Sequence, residues 1–160
     1  MSPRTYIAVV GGHHVDDATV RRAEEVGRAI AEAGAVLVCG GRGGVMEAAC
    51  RGARSAGGTT LGILPGESRE DANDHIDVAV ATGLGEMRNM VVVHSADVVI
   101  ALAGEYGTLS EIAFALRVGT PVVGIDTWEL ARRGQGVSDG IVRVDDPRAA
   151  VTEAMRLARR

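Results

Sequence analysis

Short, largely apolar runs rich in β-branched residues recur along the chain, each closed by glycine or a polar turn and most followed by a stretch with helical spacing. The runs at residues 6–10, 35–39, 59–64, 98–102 and 121–125 are too short for buried helices, and weaker ones lie at 76–80 and 141–144. Between them, residues 16–33 place Val20, Ala23, Val26, Gly27 and Ile30 at helical spacing, with Arg and Glu on the opposite face. Similar patterns cover 45–56, 86–95, 108–118 and 146–157. Asp16 or Asp17 is a candidate N-cap for the first helix and Gly34 its stop.

Strands apolar on both faces must be covered on both faces, and helical crossovers supply that cover. The sequence therefore predicts an α/β fold, a doubly wound, mostly parallel sheet of Rossmann-like type in three α/β/α layers. No linker or repeat interrupts residues 1–160, so a single domain is expected. After Pro65-Gly66 the chain is polar as far as residue 75 and reads as a mobile loop.

Composition removes several function classes. All 17 basic residues are arginine. Without a lysine amine, Schiff-base, pyridoxal-phosphate and standard P-loop NTPase chemistry are excluded. An aromatic content of 2% and a net charge of −4 argue against a nucleic-acid partner, so any phosphate site has to be local. Cys39 and Cys50 lack C-x-x-C spacing and have no histidine at zinc spacing, so no metal site is expected and Cys39 reads as a small core residue. The N-terminal apolar run reads as a strand, and no segment approaches the roughly 18 residues of a membrane span. No membrane partner and a cytoplasmic location are expected.

Ligands of doubly wound folds bind at the carboxyl ends of the strands, where strand order reverses. Three loops fall there. Gly40-Gly41-Arg42-Gly43-Gly44-Val45-Met46 joins a strand to a helix; its glycines let backbone approach an anion, the helix start offers free N–H groups, and Arg42 adds a forked donor. The same loop also reads as a tight turn with no ligand. Gly104-Glu105-Tyr106-Gly107-Thr108-Leu109-Ser110-Glu111 repeats the strand-to-helix arrangement, and here two readings stand level: Thr108-x-x-Glu111 is a capping box, or Glu111 is catalytic. The third loop, Gly85-Glu86-Met87-Arg88-Asn89-Met90, brings Arg88 to the same edge. Gly11, Gly12 and His13 follow the first strand and are further candidates, with at most one of His13 and His14 facing a ligand.

Together, Met87-Arg88-Asn89, Ser95-Ala96-Asp97, the 104–111 loop and Gly40-Gly41-x-Gly-Gly-Val-Met over nearly the whole chain resemble the LOG-type family, often labelled lysine decarboxylase-like. The compact length and Gly11-Gly12 look closer to its molybdenum-cofactor carrier branch. The resemblance implies one of two functions. LOG enzymes hydrolyse the N-glycosidic bond of nucleoside 5′-monophosphates, as phosphoribohydrolases; the family's catalytic arginine and glutamate fall on Arg88 and Glu111, with Arg88 orienting Glu111 and keeping it ionised. The carrier branch binds the phosphate-bearing molybdenum cofactor without turning it over. The resemblance thus implies a bound nucleotide monophosphate or molybdenum cofactor, no cofactor required for chemistry, and a homodimer or homotetramer.

Two departures weigh against hydrolysis. The family's P-G-G-x-G-T is here Ala103-Gly104-Glu105-Tyr106-Gly107-Thr108, and an inward Glu105 would repel a phosphate dianion by on the order of 1–4 kcal/mol. The basic residue expected after the arginine is replaced by Asn89 and Met90. A pyridoxal decarboxylase is untenable without lysine. The leading expectation is a small phosphate-bearing nucleotide or molybdopterin-type ligand held between the two glycine loops. The alternatives are the hydrolase and a non-catalytic oligomeric scaffold, because residues 87–93 and 112–116 are apolar on more than one face.

Overall fold

Seven parallel strands form one sheet in the computed structural model, which describes residues 3–158. In chain order they are β1 (Tyr6–Gly11), β2 (Val36–Cys39), β3 (Thr59–Leu64), β4 (Val78–Ala81), β5 (Val98–Leu102), β6 (Val122–Ile125) and β7 (Val142–Arg143). Their order in the sheet is β4-β3-β2-β1-β5-β6-β7, so the winding reverses at β1, which pairs with β2 on one side and β5 on the other. Five α-helices cover it: α1 (Asp17–Glu32), α2 (Val45–Ser55), α3 (Arg88–His94), α4 (Tyr106–Val118) and α5 (Pro147–Ala158).

Strand alternation sorts the core into two layers. Ile7 and Val9 of β1 join Leu37, Ile100 and Ile125 under α1, α2 and α5. Ala8 and Val10 join Val38, Val99 and Ala101 under α3 and α4. Val, Ala and Ile fill both layers, with buried Leu in the first, which gives the three-layer α/β/α arrangement that the pattern of short apolar runs requires.

Local chemistry sets the helix ends. Asp16 caps α1, its carboxylate accepting the Thr19 N–H at 2.8 Å, and this bond holds the Asp16 carboxyl below its ordinary range. Two stretches differ from the sequence reading. The helix expected at 86–95 begins as a single 3-10 turn, Gly85–Met87, before α3. The polar loop after β3, expected to be mobile, is tied down: Ser68 caps a 3-10 turn at Arg69–Asp71, and Asn73 donates its backbone N–H to Gly41 O at 2.9 Å and its side-chain amide to Arg42 O at 2.8 Å. Polar side chains anchor this segment where apolar ones are lacking. The apolar surplus of α3 and α4 is partly explained by burial, since Val92, Val93 and Ile112 are wholly inside, whereas Met87 is 59% exposed.

Helices α1 and α2 cross with their backbones in direct contact. A Cβ on Gly27 would overlap the carbonyl oxygen of Ala49, and one on Gly52 the carbonyl oxygen of Glu24. The two glycines thus interlock the helices that follow β1 and β2. Gly27→Ala should destabilise the protein by about 1–3 kcal/mol despite alanine's better helix propensity, because backbone cannot yield as a side chain can. Gly136→Ala, where nothing lies within 4 Å, should stay within about 0.5 kcal/mol of wild type in the same urea titration. Equal stability of the two variants would refute the interlock.

Candidate functional site

At the reversal of the winding, the chain leaving β1 meets the loops that leave β2 and β5. The first residue of α2, Val45, donates its N–H to Gly12 O at 3.0 Å. A Cβ on Gly12 would lie 3.8 Å from the Cα of Gly104, and one on Gly43 would lie 3.1 Å from Cε1 of His13. Gly44 adopts φ 67° and ψ −130°, and a side chain there would strike the carbonyl groups of Gly12 and His13. The three loops are therefore in contact, with Gly12 in the middle, and they enclose a cleft of about 370 Å³.

The two longer helices that start at this cleft, α2 and α4, lack an N-terminal side-chain cap. Neither Gly44 before α2 nor Glu105 before α4 supplies one. The first amides of a helix have no intrahelical acceptor, so these ends carry unpaired donors and the positive end of the helix dipole. On α2 the Val45 amide is already spent on Gly12, leaving the donors that follow it. On α4 the first carbonyl bond goes from Leu109 N–H to Glu105 O, and Gly107 and Thr108 line the cleft. This overturns the capping-box reading. Helix α4 starts two residues before Thr108, so Thr108 sits in the first turn and is buried there, and the buried Glu111 has no cap to complete.

The turn into α4 is strained. Ala103 has φ 46°, in the left-handed region that L-residues avoid, and Gly104 follows with φ 106°. Two bonds to the β6 end hold the turn: Ala103 N–H donates to Ile125 O at 3.0 Å, and the Thr127 hydroxyl donates to Ala103 O at 2.7 Å.

Arg88 and Glu111 are the charged residues of the cleft that are withdrawn from water, each 8% exposed. The Arg88 guanidinium packs on Gly40, where any side chain would collide with its Nη1, and its Nε is buried without a hydrogen-bond partner. Burial lowers the Arg88 pKa from its ordinary value, against the opposing pull of Glu111 and Glu86. Burial also pushes Glu111 up to about 7, outweighing the attraction of Arg88. The two residues feel each other's charge, but no ion pair joins them. The expectation that Arg88 keeps Glu111 ionised is therefore corrected: near neutrality Glu111 can accept or donate a proton.

The remaining sequence candidates divide. Gly11, Gly12, His13, Arg42, Met46 and Glu105 line the cleft along with Gly107, Thr108, Arg88 and Glu111. Glu105 sits at the mouth as an exposed side chain, so solvent screens its repulsion of an anion toward the low end of the range above. Gly40, Gly41, Gly43, Gly44, Val45 and Gly104 shape the loops from behind. Tyr106 is 80% exposed and pairs with Trp128, their ring centroids 5.8 Å apart, outside the lining. His14 is exposed and meets His13 edge to face.

Sequence reasoning missed Asn89, which lines the cleft and donates to Ser110 Oγ at 3.3 Å, while Ser110 donates to Gly107 O at 2.6 Å. This relay fastens the first turn of α3 to that of α4, and the one available signal was an asparagine next to Arg88. Also missed was the contact of Cys39 and Cys50, whose sulfurs lie 3.5 Å apart in the core under the β2 loop. Gly41 N–H bonds to Cys39 Sγ, and Cys50 is kept protonated by that neighbour and by burial.

Residues 4–151 match the SLOG cluster4 family. The molybdenum cofactor binding protein of Rippkaea orientalis superposes with a TM-score of 0.85 at 33% identity, covering 98% of each chain. The molybdenum cofactor carrier protein of Chlamydomonas reinhardtii superposes with a TM-score of 0.85 at 32% identity, covering 98% of this chain and 100% of that one. The cytokinin riboside 5′-monophosphate phosphoribohydrolase of Mycobacterium tuberculosis is 36% identical over 115 residues, 66% of this chain and 62% of its own length. No helix among the described residues is long and apolar enough to cross a membrane.

The raised Glu111 pKa makes a prediction for stability. A carboxyl that titrates at about 7 in the fold and at 4.5 when free stabilises the fold in acid, and that contribution is lost as pH rises through 7. Glu111→Gln cannot ionise, so its stability relative to wild type should climb between about pH 4.5 and 7 and level off above, by about 3 kcal/mol in total. Urea unfolding of both proteins from pH 4.5 to 8 checks this, and a difference that does not vary with pH would refute it.

Proposed function

The chain belongs to the SLOG cluster4 family, and from that premise we propose that its cleft holds a phosphate-bearing ligand, of molybdopterin or nucleotide type, as a binding and carrier protein. The observation that carries this reading is the convergence of two uncapped helix N-termini on a buried arginine with an orphaned Nε. Buried donors without acceptors destabilise a fold unless something fills them, and a phosphate oxygen is the acceptor that two positive helix ends and a guanidinium favour together. The residues present fit the phosphate of such a ligand, through the donors of α2 and α4, Arg88 and Arg42. Molybdenum itself would be cargo, since the two thiols of the chain are buried in the core rather than in the cleft.

Carriage without turnover is favoured by the company Glu111 keeps. Burial and the exposed Glu86 at the mouth of its cleft both oppose the ionised form of Glu111 that would activate water. The kinship to the carrier protein of Chlamydomonas reinhardtii supports the same choice. A second reading has one observation in its favour: a glutamate near neutral pKa can activate water or protonate a leaving base, which is what N-glycosidic cleavage of a nucleoside 5′-monophosphate needs. On either reading, self-association through the exposed Met87 before α3 and the exposed Tyr106 and Val118 of α4 would give the homodimer or homotetramer.

Calorimetry with ribose 5-phosphate and AMP, and with molybdopterin where it can be supplied, tests the binding. Wild type should bind phosphate esters, and Arg88→Met should weaken them roughly tenfold or more. AMP should remain intact after prolonged incubation. Release of adenine by wild type and not by Glu111→Gln would replace the carrier reading with the hydrolase, and indifference to every phosphate ester would end both.

A further inference from the structure

The cleft offers more anion-binding capacity than one phosphate monoester can use, and we propose that its ligand carries two linked phosphates, as in a nucleoside diphosphate or a pyrophosphate-bridged nucleotide. This rests on the phosphate-binding reading above and goes further, to the class of headgroup. Helix α2 has 11 residues and α4 has 13, so both have a full first turn, and both are uncapped. The carbonyl of Gly12 accepts the Val45 N–H at 3.0 Å on the α2 side, and a Cβ on Gly12 would lie 3.8 Å from the Cα of Gly104 on the α4 side. Gly12 thus touches both loops with its carbonyl turned toward α2, and the two helix starts flank it, so that adjacent phosphates of one ligand would each face one start.

The cations are distributed in the same way. Arg88 is 8% exposed, and it reaches both sides: its guanidinium packs on Gly40 of the α2 loop and acts on Glu111 of α4. Its buried Nε has no partner, and its side chain lines the cleft between the two helix starts. Arg42 is exposed in the α2 loop, and the bond from the Asn73 side chain to its carbonyl fixes that loop while leaving its guanidinium free for a second phosphate. Thr108 adds a hydroxyl on the α4 side. The acidic groups, Glu86 and Glu105, are exposed at the mouth, and Glu111 is held near neutral by burial, so the interior of the cleft is left cationic.

The test is a series that varies only the headgroup: adenosine, AMP and ADP, titrated into the full chain by calorimetry with EDTA present so that no divalent cation supplies the preference. ADP should bind at least tenfold more tightly than AMP. In Arg42→Ala, an exposed position whose loss leaves the core intact, ADP should be weakened more than AMP, so that the preference falls to near one. If ADP binds no better than AMP, or if its advantage survives in Arg42→Ala, the two-phosphate inference is overturned. In that event AMP binding more tightly than adenosine leaves the single-phosphate reading standing, and AMP and adenosine binding alike removes both.

Discussion

Helix-start amides left without a side-chain acceptor are the constraint around which this molecule is arranged. Two helices begin where the winding of the sheet reverses, and neither supplies the serine, threonine or aspartate that would quiet its first turn. The contrast lies within the same chain, where α1 takes a well-formed aspartate cap. Glycines on one side and a strained Ala103-Gly104 turn on the other bring the bare helix ends to a common opening. Loops, sheet order and helix positions are all consistent with keeping those donors available.

The buried charges follow from the same arrangement. Arg88 and Glu111 are both withdrawn from water, yet they do not pair, so each keeps much of its desolvation penalty. A fold selected for stability alone would close them into an ion pair or replace them with aliphatic side chains. Their separation keeps the guanidinium free for an anion and keeps the carboxyl poised near neutrality. The Asn89–Ser110–Gly107 relay holds the two helix starts at that spacing.

Much of this is legible in the sequence because it rests on local chemistry. Apolar runs such as residues 98–102 fix β5, and the glycine clusters at 40–44 and 104–107 mark two of the three cleft loops. What the sequence hides is set by three-dimensional neighbours. Thr108-x-x-Glu111 has capping-box spacing, but the helix starts earlier because Glu105 reaches the N-cap position first, which only the backbone path after the strained Ala103 reveals. The polar stretch after β3 looks unanchored until Asn73 is seen against the carbonyls of Gly41 and Arg42. The ionisation of Glu111 escapes sequence reasoning altogether, since burial outweighs its nearby arginine and burial is a property of the whole fold.

The contact of Gly27 with Ala49 and of Gly52 with Glu24 bears on how such a chain can change through evolutionary drift. Two positions remote from the cleft tolerate no added carbon, while the surfaces on either side of them are free to vary. Descendants can therefore rewrite exposed rim residues, such as Glu105 or Arg42, at little architectural expense. The bare backbone seam between the first two helices would remain as the inherited signature, legible long after the ligand preference had diverged.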